Sequence, residues 1–106
     1  MVQVQDISEQ VSGKSLLLSA KVLKAIANPS RLLILTLLLH DEKNVKQIED
    51  ETGIKQPNIS RYLQGMMRMG LVKRRKSGVK SFYSLACRDI EAILDCVRCI
   101  VRSNTS

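Results

Sequence analysis

The sequence predicts a small, mostly α-helical domain with one β-hairpin near its C-terminal end. The apolar residues of this 106-residue chain are mostly Leu, Ile, Val, Met and Ala, with one Phe, two Tyr and no Trp. That composition favours packed helices over a β-sandwich. Apolar residues recur at helical spacing in most segments, whereas the side chains of residues 79–85 alternate as those of a strand do. We expect a single domain over residues 1–106, with a flexible segment at residues 1–12.

The first two helices are expected on either side of an Asn–Pro pair. The stretch SLLLSAKVLKAIA, which starts at Ser15, is apolar on most sides and fits a helix that is buried on more than one side. Asn28 is a good N-cap and Pro29 suits the first helical position, so a second helix should begin there. That helix, SRLLILTLLLH, is almost continuously apolar and should be the central core helix, ending at His40.

A pair of shorter helices is predicted over residues 44–69. Asn44 can cap the first of them with Gln47 as its capping-box partner, and Gly53 can end it in a left-handed turn. The second, QPNISRYLQGMMRMG, carries a proline in its first turn and apolar residues at helical spacing. Two helices joined by a short, glycine-containing turn form a helix-turn-helix.

A β-hairpin over residues 71–85 and a last helix over residues 87–102 complete the predicted elements. The strand-like stretches LVKRR and VKSFYSL flank Gly78, which can supply the positive φ of a tight hairpin. The last stretch, CRDIEAILDCVRCIVR, has more apolar surface than so small a core can cover, and so has the first helix. Exposed apolar patches of this kind mark interfaces, so we expect these two helices to form a dimer interface.

Positive charge is concentrated in the second half of the chain. Up to Gly53, six basic residues stand against seven acidic ones, whereas from Ile54 onward eleven basic residues stand against three acidic ones. No acidic residue lies between Lys55 and Lys80. Such a cationic block indicates a polyanionic partner, with a solvated basic face as the alternative.

The order of helix, helix, helix-turn-helix, hairpin and helix is that of a winged helix-turn-helix. In ANPSRLLIL, QPNISRYLQGMMRMGLVKRRKSG and SFYSL, the chain resembles the ArsR/SmtB family of bacterial and archaeal transcriptional repressors, over roughly Leu23 to Leu94. The resemblance implies a homodimer joined by its first and last helices. It also implies that each recognition helix, the second of the helix-turn-helix, enters a major groove of double-stranded operator DNA. The hairpin, or wing, would lie along the adjacent backbone.

The residue types on these two elements agree with DNA as the partner. Amide side chains can pair with adenine, guanidinium groups with guanine, and hydroxyls with phosphate or base, while the basic wing can neutralise phosphates. The candidate contacts are Lys55, Gln56, Asn58, Ser60, Arg61 and Tyr62 on the recognition helix and Lys73, Arg74, Arg75, Lys76 and Lys80 on the wing. For Tyr62, packing against the neighbouring helix is an equal alternative. Lysine cannot cap a helix, so Gln56 or water should cap this one in place of Lys55.

Two sensor sites of metal-responsive family members have no counterpart in this sequence. Where the resemblance would place a Cys-x-Cys pair, the chain has Asn44 and Lys46. The histidines of the last-helix site are missing as well, because His40 is the only histidine of the chain. We expect His40 to be a C-terminal helix residue favoured by the helix dipole rather than a ligand.

Three cysteines are the candidate ligands instead. Cys96 and Cys99 are three residues apart and share a helix face, whereas Cys87 could join them only from the other subunit of an antiparallel helix pair. Three thiolates, with Asp89 as a fourth ligand, would suit As(III), Cd(II) or Pb(II) as an inducer. Thiol oxidation and inert packing in the dimer core are the alternatives.

Other classes of function fit the sequence less well. No apolar run reaches membrane-spanning length and no signal peptide is present, so we expect a cytoplasmic protein with reduced thiols. The sequence has no phosphate-cradling Gly loop, no paired carboxylates and no Cys–His couple, so no enzyme is expected. A regulator without an inducer, or a winged-helix module that binds a protein partner, is the alternative to an inducible repressor.

Overall fold

The computed structural model describes residues 13–105, which form five helices and a two-stranded antiparallel hairpin. The elements are α1 (Gly13–Ala27), α2 (Pro29–Leu37), α3 (Val45–Thr52), α4 (Gln56–Arg68), β1 (Val72–Ser77), β2 (Lys80–Leu85) and α5 (Arg88–Thr105). This confirms the predicted helical fold with one hairpin. The flexibility expected of residues 1–12 concerns a segment outside the described residues. No helix of the described part is both long and apolar enough to span a membrane.

Local capping fixes the starts of two helices. Asn28 accepts a hydrogen bond from the backbone N–H of Arg31 at 3.0 Å, which starts α2. Asn44 and Gln47 form both bonds of a capping box, each 2.8 Å long, at the start of α3. Gly53 then ends α3 with a φ of 77°, a conformation that side-chain-bearing residues adopt only under strain. These features agree with the sequence-based expectations.

Two helix ends differ from those expectations. The core helix ends at Leu37, and residues 38–40 form a turn, so His40 is not part of the helix. The last helix continues past Arg102, where it was expected to end, to Thr105. Ser103 and Thr105 donate their hydroxyl groups to backbone carbonyls one turn earlier, at 3.0 and 2.9 Å, so both polar side chains are bonded within the helix.

The core lies between α2, α3 and α4. Its six fully buried large side chains are Ile34 and Leu35 of α2, Ile48 of α3, and Ile59, Leu63 and Met66 of α4. The central position expected for the second helix is therefore correct. Because three of these residues recur on one side of α4, that helix is held firmly and its opposite side faces solvent.

The wing is joined to the core through a third backbone segment. Lys43, in the loop before α3, exchanges two hydrogen bonds with Tyr83 of β2, at 3.0 and 2.8 Å. Val72 and Tyr83 are buried at the base of the hairpin, while Gly78 has a φ of 63° in its turn. Val79, expected within the second strand, lies in that turn and is fully exposed.

Candidate nucleic-acid interface

The first turn of α4 has no side-chain cap. Lys55 occupies the N-cap position without a capping hydrogen bond, as expected of lysine. Gln56 does not replace it, because its side-chain amide donates to the Glu49 carboxylate of α3 at 3.0 Å. The expectation that Gln56 caps the helix is wrong, and this side chain instead ties α4 to α3.

The helical period determines which side chains of α4 face the core and which face solvent. Arg61 lies midway between the buried Ile59 and Leu63 in sequence, so it projects from the side of the helix opposite the core and is exposed. Asn58 is exposed and Ser60 is half-buried on the two flanks. These three side chains can therefore approach one ligand surface together without disturbing the core.

Tyr62 is half-buried, and two guanidinium groups lie near its ring. Arg31 of α2 and Arg61 of α4 each lie 5.6 Å from the centre of its ring, within the range of cation–π attraction. Tyr62 therefore packs against the neighbouring helix, which was one of its two expected roles. Arg31 is a site residue that sequence reasoning missed. It lies 31 positions before Tyr62, and no local pattern indicates a contact between residues so far apart in the chain.

Four basic side chains of the wing, Lys73, Arg74, Lys76 and Lys80, are exposed. None of them forms an ion pair with an acidic residue within the described part of the chain. The wing therefore presents four uncompensated positive charges beside the recognition helix.

Arg75 differs from its neighbours on the wing. Its guanidinium binds the Glu42 carboxylate through two nitrogens, the Nε–Oε2 distance being 3.1 Å, and lies 5.0 Å from the centre of the Phe82 ring. The hydrogen bond from Arg75 lowers the pKa of the Glu42 carboxyl below its ordinary value. Nothing in the sequence indicated Glu42, which lies 33 positions before its partner.

The acidic residues next to the site are also partnered. In α3, Lys46 pairs with Asp50 at 3.1 Å and Lys43 of the preceding loop pairs with Glu51 at 3.1 Å. Glu49 accepts the hydrogen bond from Gln56. These contacts hold the acids on the α3 side, so the exposed face of α4 and the wing keeps its positive potential.

The three cysteines are free and exposed in the protomer. No group of three or more potential metal ligands occurs within residues 13–105 of the protomer. Arg102 donates a hydrogen bond to the Cys99 sulfur at 3.7 Å. His40 and Cys87 line one open cavity of about 340 Å³, but they do not belong to a metal-binding group.

Comparison with known proteins gives consistent matches. The family described as "Bacterial regulatory protein, arsR family" matches residues 28–74, from the α2 cap into the wing. The transcriptional activator HlyU of Vibrio cholerae is 34% identical over 87 residues, which cover 82% of this chain and 77% of HlyU. A probable mercury resistance operon repressor of Streptomyces lividans is 28% identical over 88 residues, covering 83% of this chain and 70% of the repressor.

A solved structure matches over nearly the same extent. It is the homodimeric winged helix-turn-helix DNA-binding domain of Mb0332 from Mycobacterium bovis, with a TM-score of 0.79 and 32% identity. The match covers 89% of each chain.

The two arginines near the Tyr62 ring lead to a test of the role of Tyr62. Replacing Tyr62 by Phe should leave duplex DNA affinity unchanged, because the ring face that holds Arg61 is retained. Replacing it by Leu should weaken binding by about 1 kcal/mol, the size of a partly exposed cation–π contact. Fluorescence anisotropy with a labelled duplex measures both. A comparable loss in the Phe variant would instead assign the hydroxyl group a direct DNA contact.

Proposed function

The chain belongs to the arsR family of bacterial regulatory proteins, and we propose that it acts as a homodimeric, sequence-specific repressor that binds double-stranded operator DNA in the cytoplasm. Its family consists of DNA-binding transcriptional regulators, not enzymes. The observation that carries the proposal is the unpaired basic face formed by the exposed side of α4 and four wing residues. Both elements are fixed by one core, so their spacing is set before DNA is bound.

Base reading is assigned to the exposed side of α4. Arg61 can pair bidentately with guanine and Asn58 with adenine, while Ser60 can bind either a base or a phosphate. Lys55, at the uncapped start of the helix, suits a backbone phosphate. The wing cations Arg74 and Lys80 would neutralise phosphates and contribute equally to all sequences.

Substitution of Arg61 tests this assignment. Duplex sites selected from a random library by the wild-type protein supply the ligand. On these sites, Arg61→Ala should cost about 1–3 kcal/mol per half-site and relax the preference at one base pair of each half-site. Lys76→Ala, which also removes one positive charge, is the matched control and should weaken binding to all duplexes alike.

An unchanged site affinity in Arg61→Ala would show that α4 is not the reading helix. The salt dependence of DNA affinity distinguishes the repressor from a protein-interaction module. The affinity for duplex DNA should fall steeply as the salt concentration rises, and an affinity that does not depend on salt would favour the interaction module.

Dimerisation is supported by exposed apolar side chains on the two terminal helices. On α1, Leu17 and Leu23 are 67% and 61% exposed, and on α5, Ile100 is 61% exposed. Side chains of this kind are normally covered, and a two-fold dimer would bring two recognition helices to half-sites about one DNA turn apart.

Sedimentation equilibrium tests the dimer. The wild-type protein should sediment as a dimer at micromolar concentration, and Ile100→Glu should dissociate it, because a carboxylate in an apolar interface is costly. Val79→Glu, at an even more exposed apolar residue on the wing, should leave the dimer intact. A wild-type species of only 11.9 kDa would contradict the proposal.

We further propose that the cysteines of α5 receive the inducer. Cys96 and Cys99 are exposed on one helix face, and in an antiparallel pair of α5 helices Cys87 of the partner subunit would approach them. Three thiolates would bind As(III), Cd(II) or Pb(II), with Asp89 as a fourth ligand. Thiol oxidation is the competing trigger, because exposed thiols are open to oxidants as well.

Titration of the reduced dimer distinguishes these triggers. Cd(II) should produce thiolate–metal absorption and release DNA, and Cys96→Ser, Cys99→Ser and Cys87→Ser should each reduce both effects. As(III) should also release DNA. Release by peroxide but not by Cd(II) or As(III) would favour oxidation. Wild-type DNA binding and inducer response in the Cys96→Ser and Cys99→Ser variants would show that the cysteines only pack.

A further inference from the structure

A side-chain bridge crosses the middle of the wing. Arg75 of β1 and Phe82 of β2 are directly opposite each other in the strand register, so their side chains lie on the same face of the hairpin. The guanidinium of Arg75 extends across the Phe82 ring and ends on the Glu42 carboxylate. Glu42 belongs to the loop before α3, so the bridge joins the wing to the helix-turn-helix.

The alternation of side chains along a strand explains why Arg75 can reach Glu42. Lys43 pairs with Tyr83 on the outer edge of β2 and therefore shares a face with it. Side chains alternate between faces, so Glu42 lies on the other face, the one that carries Phe82 and Arg75. Arg74, opposite Tyr83, is on the face without the carboxylate. The bridge is therefore specific to one of two adjacent arginines.

A guanidinium bound at two nitrogens has little freedom to turn toward a phosphate. The two-point contact fixes the direction of the Arg75 side chain, and the aromatic face below it restricts movement further. The carboxylate also cancels its charge. An exposed ion pair adds little to stability, so the consequence of this one lies in the geometry it fixes.

We propose that Arg75 is a positioning residue, held by Glu42, that sets the angle of the wing and makes no contact with DNA phosphate. The phosphate ligands of the wing are then Lys73, Arg74, Lys76 and Lys80. This replaces the phosphate contact that the sequence predicts for Arg75, and it rests on the proposed DNA-binding function.

Exchanging the two charges provides the test. Arg75→Glu alone should weaken binding to a duplex selected by the wild-type protein. Adding Glu42→Arg should restore affinity, because the pair is rebuilt with its charges reversed. The matched control joins Glu42→Arg to Arg74→Glu and should stay weak. This control should also reduce the slope of log affinity against log salt concentration by at least about 1.8 per dimer, because each lost phosphate contact contributes about 0.9 and each subunit loses one.

Hydrogen exchange of the wing amides supplies a second measurement that needs no DNA. Amide hydrogen exchange over residues 72–85 should be faster in the Arg75→Glu variant. It should return to the wild-type rate in the double variant Arg75→Glu with Glu42→Arg. Unchanged exchange in Arg75→Glu would overturn the positioning role. Restored exchange with affinity still lost would show that Arg75 itself binds phosphate, which also overturns the proposal. Failure of the wild-type protein to bind any duplex would refute the proposed function instead, while the exchange rates would still decide the role of Arg75.

Discussion

Burial of the apolar side of α4 fixes the orientation of this helix in the fold. Ile59, Leu63 and Met66 have no solvent exposure, and they belong to one core cluster with equally buried residues of α2 and α3. A helix anchored along one side cannot rotate without exposing that side to water, at a cost of about 25 cal/mol for each Å² of apolar surface. The orientation of Arg61 is thus a consequence of core packing.

Electrostatic partners then separate the acidic from the basic residues. The acids of α3, and Glu42 of its preceding loop, are held by Lys43, Lys46, Gln56 and Arg75. Every one of these contacts lies on the α3 side of the helix-turn-helix or in the middle of the wing. The remaining cations of α4 and the wing face outward together, which is the distribution that a DNA backbone attracts.

The sequence predicted those features that depend on a few neighbouring residues. The capping box of Asn44, the left-handed Gly53 and the buried side of α4 follow from local spacing. The contacts Arg31–Tyr62 and Glu42–Arg75 join residues about thirty positions apart, and their geometry depends on the completed fold. The helix ends at Leu37 and Thr105 differ from the predicted ones by a few residues, because an apolar period does not define where a helix stops. The assigned DNA contacts and the role of the cysteines stay predictions.

Footprinting on a site selected from random duplexes tests whether a dimer reads DNA with two α4 helices and two wings. Dimethyl sulfate probes guanine N7 in the major groove, and hydroxyl radicals probe the sugar–phosphate backbone. This arrangement predicts a two-fold symmetric footprint in which two segments protected from methylation are about 10 base pairs apart, flanked by backbone protection from the wings. A single protected segment without symmetry, or uniform protection with no selected sequence, would contradict it.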